Sequence, residues 1–171
     1  MPVIAMQRVE VKPARFLAEQ LLQFVKGDCY FPTDIKVDEE FIMKFLISHQ
    51  GPACLFWFGF RYKGLDYIFT DINGIPLEEN QGIRIEFLPA TMRKFLEEPG
   101  MEEFDTTKTI EITFLCGFIE ADTHYWTDSL TYNCYVEVPT EAWYQKIPWW
   151  GWAGGGVGVI LTGVVITKPW K

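Results

Sequence analysis

The chain has 171 residues, with 15 Lys and Arg against 23 Asp and Glu, and a formal net charge of −8 at pH 7. That length holds one domain with a real hydrophobic core and at most a small appendage, and an apolar share of 49% excludes intrinsic disorder. An acidic chain lacks the electrostatic footprint of a nucleic-acid binder, so no nucleic-acid partner is expected.

Val3 to Val11 alternates loosely and carries β-branched residues, which predicts a first strand. Pro13 then stands where helices like to begin. Phe16, Leu17, Leu21, Phe24 and Val25 repeat at helical spacing before Gly27, predicting a helix near 13–26. A second helix is expected near 38–49. Asp38 would be its N-cap, Phe41, Ile42, Phe45 and Leu46 its buried stripe, and Gln50-Gly51-Pro52 its stop. His49 would then sit at a helix C-terminus, where an imidazole interacts well with the dipole.

The middle of the chain reads as sheet. Cys54, Phe56, Phe58, Phe60 and Tyr62 alternate with Leu55, Trp57, Gly59 and Arg61, and Lys63-Gly64 can turn the chain into Leu65, Tyr67 and Phe69. This is a hairpin near 54–69. Leu55 and Trp57 on the second face indicate that both faces are covered. Ile83, Ile85 and Phe87 mark a short strand, and a third helix is expected near 90–98, closed by Pro99-Gly100. A second hairpin spans 109–138, with Ile110 to Phe118 and Leu130 to Val138 as strands and the polar stretch Glu120 to Ser129 as its loop. Hairpins with non-alternating helices make the expected class α+β, with a mainly antiparallel sheet and two to three helices.

Residues 147–171 differ in kind. Ile147 to Thr167 holds no charged residue over 21 positions, a length of about 31 Å as a helix, close to a bilayer core. Lys146 and Lys168 bracket it, with Trp149, Trp150 and Trp152 at one end and Trp170 at the other, as in a single-pass anchor. Gly151, Gly155 and Gly158 have the small-xxx-small spacing that lets another helix approach. Against a helix, six of the 14 glycines fall between 151 and 163, and Val157, Val159, Ile160, Val164, Val165 and Ile166 favour a strand. The segment can therefore enter a membrane, insert into a neighbouring subunit, or form a buried strand of its own domain. The last 25 residues add two lysines and no acid, leaving residues 1–146 with 13 basic and 23 acidic residues. The division expected is an acidic α+β domain over 1–146 and an apolar segment over 147–171. An external destination, lipid or protein, is favoured because such a Trp/Val patch left on a monomer's surface would invite association.

Little points to chemistry. Cys29, Cys54, Cys116 and Cys134 form no C-x-x-C pair, so free thiols are expected. A Cys–His nucleophile pair leaves no mark in sequence spacing. Glu120, Asp122 and His124 would share one side of a strand and form a weak hard-metal candidate with Asp128, although a polar loop explains them as well. Trp57, Trp126 and Trp143 could line a cleft. The G-x-S-x-G, H-E-x-x-H and P-loop patterns are absent, and no cofactor is expected. Met1 to Val11 has no basic start and apolar run, so secretion through a signal peptide is not expected and the cytoplasmic side is the expected location, with membrane association through 147–167. The leading expectation is a non-enzymatic assembly subunit of a membrane complex or virus particle, with other protein subunits as partners. The alternatives are a soluble enzyme or ligand-binding protein with 147–167 as a buried strand, and a small acidic inhibitor or immunity-type protein steered to a basic partner.

Overall fold

A computed structural model describes residues 6–14 and 20–139. The chain divides after Val138, and the fold set out here is that of the first unit. Its strands are β1 (Gln7–Arg8), β2 (Val11–Pro13), β3 (Leu21–Phe24), β4 (Asp34–Lys36), β5 (Lys44–Gln50) and β6 (Cys54–Tyr62). They continue with β7 (Leu65–Ile68), β8 (Ile75–Leu77), β9 (Ile83–Glu86), β10 (Lys108–Glu120) and β11 (Thr123–Glu137). Eight strands form one sheet in the order β1-β7-β6-β10-β11-β2, with β4 on β11 and β8 on β6, while β3-β5-β9 form a second sheet.

The two sheets face each other across an aromatic core. Phe24 and Phe45 from the small sheet meet Phe58 and Phe114 from the large one, with ring centroids 4.5 Å apart for Phe45–Phe114 and 4.9 Å for Phe45–Phe58. Edge and tilted contacts of this kind add stability beyond the buried area.

The large sheet also has a core on its other face. Trp57, Leu115, Ile68 and Val11 are buried there together, with Val9, Ile119 and Trp126 packed around them. Chain geometry requires this. In a flat sheet, β1 and β2 would lie five strand spacings apart, about 24 Å. Yet only Val9 and Glu10 separate them, a reach of about 10 Å. The sheet must curl until its edges nearly meet. The pairings agree: β1 is antiparallel to β7 and β2 is parallel to β11. Because β7 and β11 run in opposite directions, one continuous strap over 7–13 satisfies both. It closes a small barrel of β7, β6, β10 and β11 around Trp57.

Two glycines permit the curl. A Cβ on Gly59 would overlap the carbonyl oxygen of Tyr67, and a Cβ on Gly117 would overlap that of Tyr125. At Gly117 the ladder carries a bulge, since Cys116 pairs with Asp128 and Gly117 with Trp126, leaving Thr127 extra. The Tyr125 carbonyl fills the space a side chain would take, and accepts the Trp57 Nε1–H at 3.0 Å. The bulge also joins the sheets. Thr127 Oγ1 donates to the Leu22 carbonyl at 2.6 Å, and Asp128 Oδ2 accepts the Phe24 N–H at 2.9 Å.

Several expectations need correction. The fold is nearly all β, not α+β. The helix expected near 13–26 is strand over Val11–Pro13 and Leu21–Phe24, then a 3₁₀ turn over Lys26–Asp28, with 15–19 outside the described residues. Leu22 and Phe24 point inward while Leu21 points out, and β5 supplies the hydrogen bonds. The helix near 38–49 is replaced by β5, whose Phe45, Ile47 and His49 alternate inward. Tertiary pairing overrode the helical spacing, as it does for aromatic and β-branched runs. Near 90–98 only a five-residue helical turn, Arg93–Glu97, remains. The loop Glu120–Ser129 is instead a two-residue turn, with Ala121 and Asp122 at φ 50° and 59°, the tight hairpin geometry. The membrane anchor expected over 147–167 lies outside the described residues; among the described residues no helix is long and apolar enough to cross a membrane. Trp149, Trp150, Trp152, Trp170, Gly151, Gly155 and Gly158 lie outside the described residues.

Gly117→Ala is expected to destabilise the domain by about 3 kcal/mol, seen as a lower urea midpoint, because backbone and not a flexible side chain must move. Gly64→Ala, where φ is +76° but the space is open, should lose only about 1 kcal/mol. Asp128→Ala should lose about 1–3 kcal/mol by orphaning the Phe24 N–H, and Asp128→Asn should lose less.

Candidate functional site

Three places bring chemistry-bearing side chains together. The first is the mouth of the barrel, an open depression of about 600 Å³ lined by the strap, the start of β6, the loop after β7 and the β10–β11 turn. Val9, Glu10, Leu55, Ile72, Asp122 and His124 face it. Leu55 and Ile72 are 40% and 43% exposed, so it has an apolar centre with charged flanks. His124 is buried, its Nε2 lies 2.9 Å from the Ile72 carbonyl and its ring stands edge-on to Trp57. A carbonyl only accepts, so Nε2 carries the proton and, in the neutral ring, Nδ1 holds the lone pair. The histidine thus ties the loop after β7 to β11 and walls in Trp57.

The metal candidates do not assemble. Glu120 is exposed at the end of β10, Asp122 is exposed in the turn that follows, His124 is buried, and Asp128 is used at the bulge. Among the described residues no group of three His, Cys, Asp or Glu could hold a metal ion. Trp57 and Trp126 share the barrel cluster, whereas Trp143 lies outside the described residues.

The second place is a thiol–imidazole contact. His49 and Cys54 both face inward where β5 meets β6, with Cys54 Sγ 3.8 Å and Gln20 Oε1 2.8 Å from His49 Nε2. Burial pushes the Cys54 thiol up, away from the thiolate a nucleophile needs. Burial likewise raises Cys29 and Cys116, and together with Asp34 raises Cys134 to about 11. The four thiols are free, two of them buried, and behave as small hydrophobes.

The third is a carboxylate held by cations at the other end of the large sheet. Glu102 follows the Arg93–Glu97 turn and receives Lys63 Nζ at 2.8 Å, Lys108 Nζ at 3.0 Å and the Tyr62 hydroxyl. Burial alone would raise its pKa, but the hydrogen bonds from Lys63, Tyr62, Lys108 and the Glu103 N–H outweigh that and lower it to about 2. Tyr62 is pushed above the usual phenol range by burial and then by Glu102. These partners saturate the carboxylate, so the cluster pins the segment between the Arg93–Glu97 helical turn and β10 and leaves little capacity for a ligand. Sequence reasoning missed it, since Tyr62-Lys63 and Glu102 meet only in the fold. It also misplaced His49 by setting it on a helix.

Glu102's folded pKa lies below its ordinary value. Its stabilisation is therefore complete above pH ~4.5 and is lost as pH falls through about 2. Glu102→Gln should lose about 2 kcal/mol at pH 7, the solvent-exposed Lys63 screening part of a larger effect. The gap between the two proteins should close between pH 4.5 and 2 in urea titrations; a gap independent of pH would contradict the ion-pair account.

No family model matches the chain, and no curated protein matches it. Among solved structures, a crystal structure of the CARDB domain of a Pyrococcus furiosus protein in complex with di-metal ions is similar, at 9% identity and a TM-score of 0.42, over 70% of this chain and 94% of that one. A likeness of that size says nothing of what this chain binds.

Proposed function

We propose that the chain is a non-enzymatic assembly subunit, whose β domain is held to a neighbouring subunit through residues 147–171. The observation that carries this reading is a surplus of apolar sequence. The described residues bury two apolar clusters of their own, an aromatic sandwich core and the Trp57 barrel. Beyond them the sequence adds 21 positions without a charge, bearing Trp149, Trp150 and Trp152. Tryptophan is the residue type that most often anchors protein interfaces. The opposite charges of the two parts, net −10 over 1–146 and +2 after it, favour association between subunits. The saturated Glu102 and the protonated thiols support a structural role over catalysis.

The test compares the full chain with a full-length Trp149→Ser/Trp150→Ser/Trp152→Ser variant by sedimentation velocity and thermal unfolding. The full chain is expected to associate more strongly with rising concentration than the variant, and both to unfold at the same temperature at dilutions where neither associates through the segment. A wild-type chain monomeric at every concentration, or a variant whose domain loses stability, would overturn the reading, the latter by placing the segment in the chain's own core.

A further inference from the structure

The strap over residues 7–13 sits in a seat that presents two strand edges and an apolar floor. On one side Arg8 pairs with Tyr67 and the Val9 N–H donates to the Asp66 carbonyl at 3.2 Å. On the other, Val11, Lys12 and Pro13 pair with His124, Tyr125 and Trp126, and the Ala14 N–H donates to the Trp126 carbonyl at 2.9 Å. Val9 and Val11 rest on Trp57, Ile68 and Leu115. The strap's hold is small: β1 has two residues, β2 has three, and Val11 is its one fully buried side chain. Elements with few buried contacts open first.

Opening leaves the barrel badly exposed. The edges of β7 and β11 lose their partners, and the Trp57 cluster meets water. Free edges of this kind recruit another strand. The sequence that fits this seat is visible in the structure itself: Gln7 to Pro13. A second copy carries the same residues and restores every contact of the closed barrel. Exchanging an identical element between protomers is a low-cost route to a dimer for that reason.

We propose that the barrel seat is an intersubunit site, in which residues 7–13 of one copy close the barrel of a second copy of this chain. The site goes beyond the reading given to residues 147–171 and does not depend on them. Strap exchange would then link like chains.

The test places cysteines at the facing positions Arg8 and Tyr67. The adjacent pair Val9–Asp66 is hydrogen-bonded, so Arg8–Tyr67 is a non-hydrogen-bonded antiparallel pair, whose close Cβ atoms suit a disulfide. The full-length Arg8→Cys/Tyr67→Cys protein is equilibrated at several concentrations and oxidised with glutathione disulfide. Non-reducing electrophoresis then separates intrachain from interchain bridges. Single variants Arg8→Cys and Tyr67→Cys set the background from the native thiols. The experiment is repeated in the three-tryptophan variant, so that association through 147–171 cannot contribute. A tenfold rise in concentration during equilibration should raise the ratio of interchain to intrachain bridge about tenfold, by mass action. Intrachain bridges alone at every concentration overturn the proposal. So does the absence of any bridge above background in protein whose near-ultraviolet circular dichroism matches the unsubstituted chain, because the strap would then not occupy this seat.

Discussion

The constraint on which the structure turns is that the stretches 56–60 of β6 and 114–118 of β10 are buried on both faces. Phe56, Phe58 and Phe60 belong to the sandwich core, while Trp57 between them points the other way and is equally buried. A sheet with two apolar faces needs two covers. The small sheet β3-β5-β9 supplies one. The large sheet supplies the other itself, by curling until residues 7–13 bridge its edges. Curling brings strands closer than side chains allow, so Gly59 and Gly117 stand where backbone carbonyls intrude. The buried indole then needs a hydrogen-bond partner, and the intruding Tyr125 carbonyl provides it. Trp57, Gly117 and the Thr127 bulge are in this sense one device.

The bulge reaches further than the barrel. By freeing Thr127 from the ladder and turning Asp128 toward β3, it supplies polar contacts to the backbone of Leu22 and Phe24. These contacts set the small sheet on the large one, and the aromatic core fills the space between. The barrel mouth and the Glu102 cluster follow from the same geometry. The mouth forms where the β10–β11 turn, the strap and the loop after β7 converge. Glu102 is caught where the chain crosses from the helical turn back to β10, between Lys63 on the tip of the β6–β7 hairpin and Lys108.

Much of the sheet was legible in the residues. The alternation from Cys54 to Tyr62, the Lys63-Gly64 turn and Trp57 on the second face pointed to a hairpin covered on both sides; β6 pairs with β7 around that turn and Trp57 is buried, although Leu55 beside it is exposed. The helices were misread for a physical reason. Phe41, Ile42, Phe45 and Leu46 satisfy helical spacing, while Met43, Phe45, Ile47 and His49 satisfy strand spacing over the same stretch, and only partner strands decide between them. The turn at Ala121-Asp122 was hidden because neither residue is a glycine, though both adopt positive φ. The strap was hidden differently. Val9 and Val11 look like any short apolar pattern, and nothing local says that Val11 meets His124. The candidate site suffered the same limit: Glu120, Asp122 and His124 share a sequence rhythm, but a two-residue turn sends them to different environments.

Barrel closure also bears on the order in which the chain folds. The β6–β7 and β10–β11 hairpins join residues near in sequence and can form early. The strap's pairing of Val11 with His124 joins residues more than 110 positions apart, and its short ladder returns little until both hairpins are in place. Closure therefore belongs at the end of folding, after the four main strands have assembled. Until that last step, a newly made chain carries a wet Trp57 and two unpaired strand edges, and its exposure to misassembly lasts as long as the strap takes to find its seat.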